Sequence, residues 1–246
     1  MNHPEDNLTP IGDCRRCRYR MNLLLGGRCM PGDACIAVDS GRQMDRFLRI
    51  NPELAPHYLT DSFWERRAIA VRYVPLEALP PLIKDSDEAV RRAVAYRLPR
   101  DQLIKLIHDE DREVRITVAD RIPLEQLEQM AADRDYLVRA YVVQRVPEGR
   151  LFRFIRDEDR QVRKLVAKRL PVESLVLMAH DPEPEIRRIV ASRLGGDDVR
   201  IMLDDPDWTV RLEAVANAPA DALQSMLEDE DSEVREAAAN RLQENP

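Results

Sequence analysis

Apolar side chains return along most of this chain with a period of 24 residues. One unit, starting at Val90, reads VRRAVAYRLPRDQLIKLIHDEDRE. Val90, Ala93, Val94 and Leu98 fall on one face of a helix. Asp87 precedes that stretch and suits the cap of its first turn. Pro99 ends it, because proline lacks an amide donor and restricts the residue before it. A shorter apolar segment follows, with Leu103, Leu106 and Ile107, and it closes at the turn Asp109–Glu110–Asp111. Each unit is therefore expected to hold one helix of about three turns and a second of one or two turns, short enough to be 3₁₀ in part. No segment alternates at period two, so no sheet is expected.

The polar positions keep the same beat. Prolines stand at Pro75, Pro99, Pro123, Pro147, Pro171 and Pro219, with Gly195 in the remaining slot. An aspartate column runs from Asp61 through Asp85, Asp109, Asp133, Asp157, Asp181 and Asp205 to Asp229. An arginine column follows it six residues on, from Arg67 to Arg235. A second arginine column comprises Arg97, Arg121, Arg145, Arg169 and Arg193, lapses at Asn217 and returns at Arg241. Self-similarity of this kind marks a solenoid, in which each unit buries its apolar stripe on its neighbours. The aspartates are expected at helix starts, and the first arginine column is expected to bond the neighbouring turn, as a structural ladder. The second column suits helix C-termini, but a line of arginines on one surface would also suit phosphate or an acidic partner.

The repeats occupy residues 66–246, as seven units and a truncated eighth from Val234. Residues 42–65 match weakly and read as a degenerate capping unit, and residues 1–41 form a separate module. The polar run Leu242 to Pro246 suits an outer cap.

Composition agrees with many small interfaces in place of one aromatic core: 34% of residues are charged, 5% are aromatic and 17 are prolines. A net charge of −7 argues against nucleic acid held by bulk electrostatics. The early apolar run Met21 to Leu25 is too short for a signal segment or a membrane span, so a cytoplasmic chain is expected. The histidines His3, His57, His108 and His180 are scattered and read as exposed turn residues. Met130, Met178, Met202 and Met226 share the column of Leu82, Leu106 and Phe154, so they read as core. Trp64 and Trp208 stand at turns and read as capping surface. No phosphate-binding loop, dinucleotide fingerprint or nucleophile elbow appears, and no catalytic set stands out, so no enzyme is expected.

The one segment that names a chemistry holds Cys14, Cys17, Cys29 and Cys35, spaced C-x2-C-x11-C-x5-C, with no cysteine after them. In a reducing compartment such a cluster points to metal rather than disulfides. The second pair is too widely spaced for the usual zinc knuckle, and the set matches neither common ferredoxin spacing. Arg15, Arg16, Arg18, Arg20 and Arg28 surround the thiols without an acid between Cys14 and Met30. Guanidinium groups stabilise the anionic centre that four thiolates make with either iron–sulfur or zinc. Gly26, Gly27 and Gly32 let backbone approach the sulfurs closely. The residues themselves leave both cofactors open.

The paired columns resemble the ladder of HEAT repeats, although the unit is much shorter. The pattern VRxxVAxRLPxxxLxxLxxD at period 24, behind a four-cysteine segment, resembles the leucine-rich repeat variant family over nearly the whole chain. That resemblance implies an all-α solenoid, a right-handed superhelix of units alternating an α-helix with a short 3₁₀-helix. It also implies a [4Fe-4S] cluster in the N-terminal module, with zinc the alternative, and Cys14, Cys17, Cys29 and Cys35 are then the ligands. Gly195–Gly196 and Asn217–Ala218 depart from the pattern; they leave the regularity of the sixth and seventh units open, and the glycine pair is expected to form a flexible joint. The expected function is an interaction scaffold for a protein partner on the curved repeat surface, with the cluster redox-responsive or structural. An electron-transfer component, a nucleic-acid-binding solenoid and a zinc-clipped scaffold are the alternatives. The resemblance also carries an association with nitrogen-fixing bacteria.

Overall fold

The computed structural model describes residues 9–244, with side chains to 243. His3, residues 1–8 and the last two residues of the polar end lie outside the described residues. The chain forms two compact units, one up to Gln126 and one from Leu127.

In the first unit an irregular cysteine-bearing segment leads into α1 (Gly41–Ile50), a 3₁₀ turn at Pro52–Tyr58 and α2 (Trp64–Ala70). Two 3₁₀ turns, Leu76–Ala78 and Pro80–Lys84, lead to α3 (Glu88–Arg97). A third at Arg100–Leu106 leads to α4 (Arg112–Arg121). Residues 42–65, read as degenerate, thus carry the same α-then-3₁₀ order. The boundary drawn after residue 41 falls inside the first turn of α1. A short helix α5 (Leu124–Leu127) runs to the start of the second unit.

The second unit repeats the order: 3₁₀ Glu128–Met130, α6 (Tyr136–Arg145), 3₁₀ Glu148–Phe154, α7 (Arg160–Arg169), 3₁₀ Val172–Met178 and α8 (Pro184–Arg193). Then come 3₁₀ Gly196–Met202, α9 (Trp208–Asn217), α10 (Ala220–Met226) and α11 (Ser232–Glu244). Among the described residues the only strand-like pairing is an isolated bridge between Met30 and Ala34. The unit at Gly195–Gly196 keeps its place in the order, so the departures there do not break the repeat. Gly195 is extended at φ −148°, as any residue can be, and Gly196 alone takes a left-handed φ of +59°. Ala220–Met226 is α-helical along its whole length where the other repeats use 3₁₀ turns, or the short α5 followed by one, in keeping with the helix propensity of its two alanines.

The core is a stack of aliphatic stripes. Val90, Val94 and Leu103 are fully buried, as are Val114, Val118 and Ile122 and, in the second unit, Val162, Val166 and Leu170. Each such side chain contributes about 1.5–3 kcal/mol when withdrawn from water. Met130, Met178, Met202 and Met226 are buried among them, while His57, His108 and His180 are exposed.

Within each compact unit, two ladders join neighbouring repeats. In the first, Arg187 donates through Nε to Asp205 Oδ2 at 2.7 Å and through Nη2 to Oδ1 at 2.9 Å. Its Nη1 reaches back to the Asp181 carbonyl at 2.9 Å. Arg67, Arg91, Arg139, Arg163 and Arg211 pair in the same way with Asp85, Asp109, Asp157, Asp181 and Asp229. The column aspartates also accept from the amide two residues on, as Asp85 does from Asp87 at 2.9 Å. The helix caps are the next aspartates: Asp87, Asp111, Asp135, Asp159 and Asp207 accept from the first-turn amides. The expected placement of the column aspartates at helix starts is therefore shifted by two residues. At α8 the cap is Glu183, which makes no side-chain bond; Pro184 begins the helix with its φ already set.

The second ladder serves carbonyls. Arg97 donates to the Val71 carbonyl and, at 2.9 Å, to that of Val74. Arg121 does the same to Ala95 and Leu98, and Arg169 to Val143 and Val146. These are the orphan carbonyls at the end of the helix one unit back. Asn217, the lapse in the column, donates to the Ala191 carbonyl at 3.2 Å, the position an arginine would serve.

Candidate metal centre

The four cysteines sit on turns rather than on a regular element. Cys14 and Cys17 bracket a turn closed by Cys17 N to Cys14 O at 3.4 Å. A π-helical turn, Arg20–Leu24, follows and packs Leu23 inward. Gly27 at φ +69° then reverses the chain, a left-handed conformation that favours glycine, and presents Cys29. Met30 and Ala34 close a tight loop through two backbone bonds of 2.9 and 2.8 Å, with Gly32 at φ +83° at its tip, and Cys35 follows.

This module is fixed to the first repeat by buried polar groups. The Cys35 amide donates to the Gln43 carbonyl at 3.2 Å, and the Gln43 side chain donates to the Pro10 carbonyl at 2.8 Å. Asn51, fully buried, donates to the carbonyls of Arg28 at 2.9 Å and Phe47 at 2.8 Å. Tyr58 donates to Tyr19 at 2.8 Å, and Tyr19 packs on Phe47 with ring centroids 5.3 Å apart. The Arg18 guanidinium lies over the Tyr19 ring at 4.7 Å and donates to the Tyr58 hydroxyl at 3.0 Å. Burial, together with the bond to Tyr19, pushes the Tyr58 phenol far above its ordinary value, so it stays neutral and donates.

Cys35 is buried and the other three thiols are half-buried. The Cys14 thiol is pushed up by burial first, then by the charges of Cys17, Cys35 and Asp13, with Arg20 acting against them. Burial also raises Cys29, followed by the charges of Cys17, Cys14 and Cys35. The four sulfurs thus share one electrostatic neighbourhood, although among the described residues no three His, Cys, Asp or Glu side chains form a group that could hold a single metal ion. Space beside the thiols is reserved: a Cβ at Gly12 would stand 2.7 Å from Cys35 Sγ. A cavity of about 390 Å³, walled by Cys17, Arg18, Tyr19, Ile36, Tyr58 and Arg66, opens beside Cys17.

The sequence reading found the thiols and their arginine-rich surroundings. It missed the structural partners Tyr19, within the cysteine window, and Gln43, Asn51 and Tyr58, just behind it, whose only signal is that position. It also left the second arginine column open as a phosphate line; the structure turns Arg97, Arg121 and Arg169 toward carbonyls.

Fold and sequence together define a helical repeat protein with a four-cysteine segment at its head. Residues 10–57 match the family described as "LRV protein FeS4 cluster", and residues 88–111, 112–135 and 160–183 match "Leucine rich repeat variant". A solved structure described as a leucine-rich repeat variant with a novel repetitive protein structural motif is 76% identical, covers 95% of this chain and 100% of its own, and superposes with a TM-score of 0.91. The chain belongs to the leucine-rich repeat variant family. A curated relative from Rhodobacter capsulatus, "Uncharacterized 27.7 kDa protein in nifB 3'region", is 36% identical over 85 residues, 35% of this chain. The match spans about a third of that relative's length, 34%.

Proposed function

We propose that this chain is a non-catalytic, cytoplasmic interaction scaffold whose N-terminal module carries a [4Fe-4S] cluster on Cys14, Cys17, Cys29 and Cys35. The observation that carries the cofactor reading is that all four thiols fall within residues 10–57, which match the family described as "LRV protein FeS4 cluster". The clearance that glycine leaves at position 12 supports the same reading. When bound, such a cluster supplies one-electron redox chemistry and folding energy to a module with little apolar core of its own. With every iron held by a thiolate, no open position remains for Lewis-acid catalysis.

The scaffold reading rests on the repeats, whose recurring polar columns serve the fold and leave the exposed helix faces for partners. No helix among the described residues is long and apolar enough to cross a membrane. The relative's place in a nifB 3' region suggests an accessory task in nitrogen-fixing cells. Photo-crosslinkable residues placed one at a time at exposed repeat positions in the native cell test the scaffold. Discrete adducts that weaken in Cys14→Ala are expected, and their absence at every position would contradict it.

A second reading, electron transfer, is favoured by the half-buried Cys14, Cys17 and Cys29. It requires the cluster to be reduced and reoxidised without loss of iron.

A further inference from the structure

We propose that the groove between α1, α2 and α3 docks a short acidic peptide segment of the partner protein, an apolar side chain between its carboxylates. This inference rests on the scaffold reading and assigns that reading a place and a chemistry. The groove measures about 540 Å³ and includes Arg42 from α1, Trp64 and Ala68 from α2, and Arg92, Ala93 and Tyr96 from α3.

Three features select the occupant. The first is charge. In a chain of net charge −7, this groove gathers Arg42, Arg72 and Arg92. Arg42 and Arg92 are exposed and make no hydrogen bond or ion pair among the described residues. Arg72 pairs with Asp45 at 3.1 Å but stays largely in solvent. The second is the floor. Ala68, Ala89 and Ala93 leave room for a peptide backbone, whereas α7 carries Lys164 and Leu165 where α2 and α3 place Ala68 and Ala93. The third is the rim. Trp64 is 41% exposed and Tyr96 61% exposed, so two aromatic faces flank the alanines and can cover an apolar side chain. Aromatic and arginine side chains together are the usual anchors of protein interfaces.

Nucleic acid fits the groove less well. Glu65 stands within it, its carboxylate packed over Gly41, where any side chain would displace it. At the positions where α3 carries Ala89, Arg92 and Tyr96, α4 carries Glu113, Ile116 and Asp120, so a phosphate track would end after one groove. The overall negative charge opposes a long polyanion and costs a short peptide less.

The test pans random twelve-residue peptides displayed on phage against the full chain carrying its metal centre, then titrates the selected peptides by fluorescence anisotropy. Acidic sequences with one or two apolar residues are expected. Their affinity should fall about tenfold or more in Arg42→Ala/Arg92→Ala and in Ala93→Gln, which fills the floor, and should weaken with salt. Arg112→Ala/Arg160→Ala should change nothing. Peptides unaffected by the groove variants overturn the inference but leave the scaffold reading to the crosslinking result. Recovery of no peptide overturns it as well. So does an eight-nucleotide oligothymidine that binds the groove more tightly than any peptide, which would assign it to nucleic acid.

Discussion

Replacing Arg187 by methionine isolates one rung of the first ladder. The guanidinium makes four bonds, to both Asp205 oxygens at 2.7 and 2.9 Å and to the carbonyls of Asp181 at 2.9 Å and Pro182 at 3.3 Å. Methionine keeps most of the aliphatic packing and removes all four. Asp205, its side chain 5% exposed, is left with the Asp207 amide as its remaining bonded donor. A buried carboxylate stripped of its partner costs about 3–5 kcal/mol. The exposed pair Lys164–Glu185, 27% and 55% exposed, provides the control: Lys164→Met should cost less than about 1 kcal/mol. Equilibrium urea unfolding followed by circular dichroism reads both. Amide exchange should accelerate first in α8 and α9, because repeat units exchange stability mainly with their neighbours. The double variant Arg187→Met/Asp205→Leu should regain much of the loss, since apolar replacement of both partners removes the stranded charge. A cost for Arg187→Met no larger than for Lys164→Met would refute the ladder as a structural element.

Three further outcomes follow from the same structure. Arg121→Ala leaves the Ala95 and Leu98 carbonyls without their guanidinium, and should lower stability by about 1–3 kcal/mol in urea unfolding; a change of stability near zero would return that column to a ligand-binding role. Gly12→Ala puts a methyl 2.7 Å from Cys35 Sγ and should lower the iron-to-protein ratio after anaerobic loading, while wild-type loading would show that position 12 does not limit the site. The Arg211 bond holds the Asp229 carboxyl below its ordinary range, and at Asp85 burial pushes upward most strongly, but the Arg67 bond, the Asp87 amide and the charges of Arg67 and Arg91 together hold the carboxyl below its ordinary range. Unfolding therefore raises both values, so their stabilisation is present above about pH 4 and is lost as pH falls through the lower folded values. Urea midpoints should drop between pH 5 and pH 3, and less so in Asp229→Asn.

Most of the repeat was legible because its residues act locally. The apolar spacing set the helices, proline set their ends, and Asp87 announced a cap two residues from the amide it serves. The first ladder was legible because charge and period name its partners. The second was not: Arg97 and Arg121 reach carbonyls 26 and 23 residues back, and a carbonyl leaves no mark on the residue that bears it. Asn217 looked like a fault for the same reason, though it serves the same carbonyl position. At the candidate centre, cysteine spacing singled out the thiols. The supports Gln43, Asn51 and Tyr58 stood among residues read as a degenerate repeat, since their role depends on the module folding back across them. The groove beside α1 depends on small residues matched across three helices, which no single unit displays.

The measurement that bears most directly on this account is anaerobic purification of the full chain with iron, sulfide and zinc analysis, and with visible and electron paramagnetic resonance spectra before and after dithionite. The account predicts about four iron and four sulfide per chain, a broad visible absorption that bleaches on reduction, and loss of both in Cys29→Ala. One zinc per chain, without sulfide or visible absorption, would contradict it.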